Sequence, residues 1–183
     1  QPLFGKSLAS YKVTSSDLKG ACFYLVSGHG GPDPGAIGKM GAPMNCMRMN
    51  TLTTSCYVWH AIFLTRGAKV YIIIQDAKDG IRDQQFLNNS KRETCMGSPI
   101  PLSQVSRLDQ RCAKINSLSR KDKETYKRAI FIHVDSRSRH QRTDVFFYHK
   151  PKDQASKRLA KTMNPLSRAN TTATSRAGDS RAR

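Results

Sequence analysis

The stretch Ala21 to Gly38, ACFYLVSGHGGPDPGAIG, restricts the chain more than any other. Ala21 to Val26 is an unbroken apolar run of strand length, bounded by turn residues, and reads as a buried β-strand. It stops in Ser27-Gly28-His29-Gly30-Gly31 and passes into Pro32-Asp33-Pro34-Gly35. Glycines there let the backbone turn sharply and leave His29 as the functional side chain at the carboxyl edge of the strand. In open α/β sheets that edge is where ligands bind. A phosphate-binding Walker A loop is excluded, because Met40 follows Lys39 and Asp33 occupies the place of the first glycine. A dinucleotide loop would lead straight into a helix, which Pro32 and Pro34 oppose. The plain alternative is a Gly/Pro-rich turn carrying an incidental histidine.

The rest of the chain fits around this strand as an α/β domain. Its 183 residues are enough for one domain with a real core. Gln1 to Gly20 reads as an irregular lead-in with a short strand at Tyr11 to Thr14, and Lys39 to Pro43 as loop. Met44 to Thr65 stands where a helix should return the chain to a parallel strand, although its Thr, β-branched and aromatic residues are mediocre helix formers. Lys69 to Ile74 and Ala129 to Val134 read as further buried strands, and Thr143 to Tyr148 as a fourth. Pro101 to Leu118 reads as a helix with Leu102, Val105, Leu108, Cys112 and Ile115 on its core face and Arg107, Arg111 and Lys114 on the other. Lys121 to Arg128 is charged and expected to be exposed, and Gln154 to Met163 is a short basic helix. Strands alternating with helices predict a twisted, largely parallel sheet flanked by helices.

Charge and cysteine content exclude some classes. The formal net charge of +18 arises from 31 Lys and Arg against 13 Asp and Glu. Much of it reflects missing acids, since Pro34 to Gln75 contains neither Asp nor Glu, and part lies after Lys150. Aromatic residues do not interleave with the basic ones as a stacking platform requires, so nucleic-acid binding is not the expected function. No apolar run is long enough for a membrane span, and no signal peptide is visible. Cys22, Cys46, Cys56, Cys95 and Cys112 show no C-x-x-C spacing.

The motif Gly28-His29-Gly30-Gly31-x-Asp33-Pro34-Gly35-Ala36-x-Gly38 resembles the first metal motif of the zinc-dependent N-acetylmuramoyl-L-alanine amidases. The resemblance spans roughly Gly20 to Met163. It implies a domain at 20–163, after a lead-in at 1–19 and before an unstructured tail at 164–183, with the family's C-terminal part lying beyond this chain. It implies Zn²⁺ held by His29 and by His133, in Phe131-Ile132-His133-Val134-Asp135-Ser136. Asp33, Asp135 and Arg137 are then expected to orient ligands or line the groove, as are the loops 79–83 and 136–139; ordinary surface loops are the alternative for each. The implied substrate is peptidoglycan, cut between N-acetylmuramic acid and L-alanine, and the implied location is the bacterial periplasm, cell envelope or exterior.

Catalytic zinc of the His₂Glu type needs a third protein ligand, and amide hydrolysis needs a proton shuttle. The chain has two glutamates, Glu93 and Glu124, and neither falls at a family position. The zinc Glu is expected near Arg48, where only Cys46 or, more remotely, His60 offers a substitute. Read from the third base of each codon, the DNA behind 47–64 permits Glu-Asp-Glu followed by an amphipathic helix similar to the family's second motif. The same shift after Asn164 permits Lys-Tyr-Asp-Arg-His-Gln-Pro. Two frameshifted segments are therefore expected. Codons for Met47-Arg48-Met49 that cannot encode Glu-Asp-Glu one frame over would exclude this. A non-catalytic wall-binding relic is the alternative function, and a basic nucleic-acid binder a more distant one.

Overall fold

The apolar run forms β1 (Ala21–Ser27), whose seven residues are all buried. The computed structural model describes residues 10–33, 37–40, 44–47, 49–76, 92–133 and 146–164. β1 is the middle of a three-stranded parallel sheet, between β4 (Lys69–Ile72) and β7 (Tyr126–Ile132). Full burial on both faces is why β1 reads as continuous hydrophobicity instead of alternation.

Alternate residues of β1 nevertheless serve two separate cores. Ala21, Phe23 and Leu25 pack with Cys56 and Leu64 of α1 (Met49–Thr65) and with Ala68 and Val70. Cys22, Tyr24 and Val26 pack with Ile73, Ile74 and Cys95, joined by Ile115 and Leu118 of α2 (Gln104–Lys121). The two helices therefore cover opposite faces of the sheet, a three-layer α/β arrangement. Short β5 (Ile74–Gln75) and β6 (Thr94–Cys95) pair antiparallel beside it. Residues 77–91, which include the predicted groove loop 79–83, lie outside those described.

Several local expectations are corrected. Tyr11 to Thr14 forms no strand; the Thr14 and Ser15 amides both donate to Thr65 O, which ties the lead-in to the end of α1. Of the predicted loop at Lys39 to Pro43, Lys39 and Met40 belong to β2 (Ile37–Met40), which pairs antiparallel with β3 (Met44–Met47), and 41–43 lie outside the described residues. The returning helix consequently starts at Met49, five residues later than Met44. Residues 146–148 are not in a strand, and 143–145 lie outside the described residues.

The orientation of α2 is the largest correction. Leu102 is 85% and Val105 68% exposed, with Leu108 and Cys112 also outside, while Arg111 is buried. The inward row is Arg107, Arg111, Ile115 and Leu118, which has helical spacing as regular as the apolar stripe. Ser103 caps the helix by accepting from the Ser106 amide. Nor is the segment after it fully exposed, because Asp122 is buried and β7 already begins at Tyr126.

The chain divides into two compact units, Gln1–Ser136 and Arg137–Arg183. In the second, residues 154–164 form α3. Its start is fixed by Asp153, whose Oδ1 accepts from the Ala155 and Ser156 amides at 3.0 and 3.1 Å. No helix among the described residues is long and apolar enough to cross a membrane.

Candidate metal centre

Parallel pairing carries β1 and β7 to the same edge, with Ser27 opposite Ile132. The Gly28 amide extends that pairing by donating to Ile132 O at 2.8 Å. His29 follows Gly28 on the β1 side, and His133 directly follows Ile132 on the other. The His29 and His133 rings lie 5.3 Å apart, centre to centre, and are nearly perpendicular at 84°.

This spacing can be tested against zinc. A Zn–N bond of about 2.0–2.1 Å, a ring centre roughly 1.1 Å behind the nitrogen and a tetrahedral angle give a separation of about 5.2 Å. The observed separation is compatible with that value, which an edge-to-face ring contact also spans. His133 is exposed and His29 half-buried, as an open site requires.

Gly28 makes the pair possible. A Cβ added to it would lie 2.2 Å from His133 Cε1, 2.3 Å from Nδ1 and 2.5 Å from Nε2. The imidazole therefore rests on bare backbone. Gly31 is needed for a different reason: its φ of +63° favours glycine, and Ile100 closes the space a side chain would need.

Asp33 stands beside His29. Its backbone pairs with Gly30 in both directions, and its Oδ1 lies 3.3 Å from His29 Nδ1. The alignment is not that of a hydrogen bond, since His29 Nδ1 is a buried atom lacking a hydrogen-bond partner. The contact turns Nδ1 toward the carboxylate, so Nε2 is the atom that would be left to meet an ion. Oδ2 of Asp33 accepts from Arg107 Nη2 at 3.2 Å. Asp135 and Arg137 lie outside the described residues.

Three residues that the sequence reading did not place here join the site. Glu93 is buried and accepts from the Gly31 amide at 3.2 Å. Arg107 steadies Asp33. Arg111, 2% exposed, donates from Nη1 to Gly28 O at 2.6 Å. The only advance signal for the arginines was their four-residue spacing on one helix face.

No third ligand completes the pair among the described residues. His60 packs in the core with its pKa pushed down to about 4 by burial, against a hydrogen bond to the Val70 backbone that raises it. The side chain of Cys46 is outside the description. A separate group, Cys22, Asp122 and Glu124, has ligand atoms all within 4.8 Å of one another and could hold a metal ion. It sits at the other end of β1, and a cation already occupies it. Lys69 Nζ contacts Asp122 Oδ1 and lies 3.7 Å from Glu124 Oε2. Tyr24 and Tyr71 hydroxyls donate to the same Asp122 carboxylate at 2.6 and 3.1 Å. Burial pushes the Cys22 thiol up to about 11, so it stays protonated. A metal there would have to displace Lys69.

Compared with protein-family models, with curated proteins and with solved structures, the chain gives no match.

Proposed function

We propose that this chain is the core of a zinc-dependent cell-wall amidase domain, acting on the amide between N-acetylmuramic acid and L-alanine in peptidoglycan. The observation that carries this reading is the 5.3 Å separation of His29 and His133 at adjoining parallel strand ends. The two imidazoles would hold the ion, which when bound polarises a scissile carbonyl and acidifies its water. The chain's own residues set that geometry. Asp33 orients His29, Arg107 holds Asp33 in place, and Gly28 gives His133 its seat. Bacterial envelope, periplasm or exterior is the matching location.

The missing Glu limits turnover. Glu93 is engaged with the Gly31 amide, so no described carboxylate stands ready to relay a proton to the leaving amine. The expected result is measurable zinc binding with weak or absent hydrolysis of a muramoyl-L-alanyl peptide. H29A or H133A lowers zinc affinity by roughly 100-fold or more, beyond the usual cost of losing an outer partner. Equal zinc affinity in the wild type and both variants, measured by competition with a chromophoric chelator, would refute the reading.

The lack of a third ligand among the described residues, together with the net charge of +18, favours one second reading. It is a wall-binding relic whose basic surface holds anionic polymer. Wall binding that disappears with salt and shows no turnover would select it. A nucleic-acid binder would instead bind duplexes in a salt-sensitive way indifferent to zinc.

A further inference from the structure

Arg111 is the most unusual polar side chain near the site. It is 2% exposed, lies on α2 under the Gly28–His29 turn, and makes one hydrogen bond, Nη1 to Gly28 O. Its Nε and Nη2 are buried with no hydrogen-bond partner. Those two nitrogens form one side of the guanidinium, the parallel N–H pair that meets a carboxylate in bidentate fashion. Buried charges are ordinarily paired, and an uncompensated one is costly.

The nearby charges do not supply the pairing. Burial lowers the pKa of Arg111 most, Asp33 opposes that at a distance, and Arg107 adds to it. Asp33 itself is occupied by Arg107 and His29. Asp33 is thus engaged by Arg107 and the nearby Glu93 carboxylate by the Gly31 amide, and neither meets the Nε–Nη2 edge of Arg111. From this we infer that Arg111 is the anchor of a carboxylate-binding site, taking a single monovalent carboxylate on its Nε–Nη2 edge beside the histidine pair. A planar oxyanion matches the edge in shape and carries the charge opposite to the guanidinium's. The inference does not depend on a metal being held by His29 and His133. If the proposed amidase reading is correct, it gives that site a preference for substrates with a carboxylate near the bond to be cut.

The test uses acetate as the probe, on protein stripped of metal and freed of chelator. Thermal unfolding is followed against sodium acetate and against sodium chloride at equal ionic strength. Acetate is expected to raise the melting temperature saturably, as a ligand of the folded state does, and chloride is not. R111M abolishes the rise. R111K keeps a charge but loses the fork, and weakens acetate by roughly tenfold or more. An equal response to chloride, or a full acetate response in R111M, overturns the proposal. Should R111M fail to fold, unchanged acetate affinity in R111K overturns it as well. Because no metal is present, failure here leaves the zinc experiment untouched, and the converse also holds.

Discussion

Replacing Asp122 by alanine is expected to lower the stability of the domain by about 3 kcal/mol, with no effect on the histidine pair. The carboxylate gathers Tyr24 and Tyr71 hydroxyls, the Cys22 thiol and the Lys69 ammonium, and its amide closes α2 on Leu118 O. Tyr24 is almost wholly buried, so its hydroxyl would be left without that acceptor. The loss depends on pH. Burial alone would raise the Asp122 pKa, but hydrogen bonds from Lys69, Tyr24, Tyr71 and Cys22 outweigh it and bring it from 3.8 down to about 2. A carboxylate depressed in the folded state stabilises above its unfolded pKa, and loses that contribution as pH falls through the folded value. Chemical denaturation of wild type and D122A should therefore differ fully at pH 6 and converge between about pH 4 and pH 2. A gap that persists unchanged at pH 2 would show that packing, not the ionised hub, is responsible.

Gly28→Ala should weaken the proposed metal site by displacing His133, while both histidines stay in the chain. The added methyl would fall 2.2 to 2.5 Å from three atoms of the His133 ring. Contacts this short require something to move, and a side chain at a strand end moves more readily than two hydrogen-bonded strands. The ring swings off Gly28 and the two imidazoles part. Zinc affinity is expected to drop by roughly tenfold or more, comparable to losing an orienting partner. The melting temperature should change by only a few degrees, since the methyl strains one exposed side chain. Wild-type zinc affinity in G28A would mean that the ring contact does not set the site.

Where sequence reading worked, a residue's neighbours along the chain dictated its structure. Ala21 to Val26 is apolar throughout because both faces are covered, and the glycines after it announce the turn. The order of strands and crossovers then places His29 and His133 at one edge. It failed where periodicity allows two answers. In α2 the apolar row 102, 105, 108 and 112 and the mixed row 107, 111, 115 and 118 are equally regular. Arginine stems can line an interior while their heads find acceptors, so hydrophobic content pointed to the wrong face. Asp122 was misread for a related reason: amid charged neighbours nothing local marks it as buried. Its partners come from strands 98 and 100 residues earlier. The pairing of β2 with β3 was hidden by the absence of any strong β-branched alternation.

The distance along the chain between partners has a consequence for biosynthesis. Gly28 O meets Arg111 across 83 residues, and His133, which rests on Gly28, follows later still. On a ribosome the first imidazole emerges long before the groups that fix its orientation. On the proposed zinc reading, ion capture comes late in maturation, after β7 has docked against β1. A nascent chain stalled before Tyr126 would carry the glycine motif in full and bind no zinc.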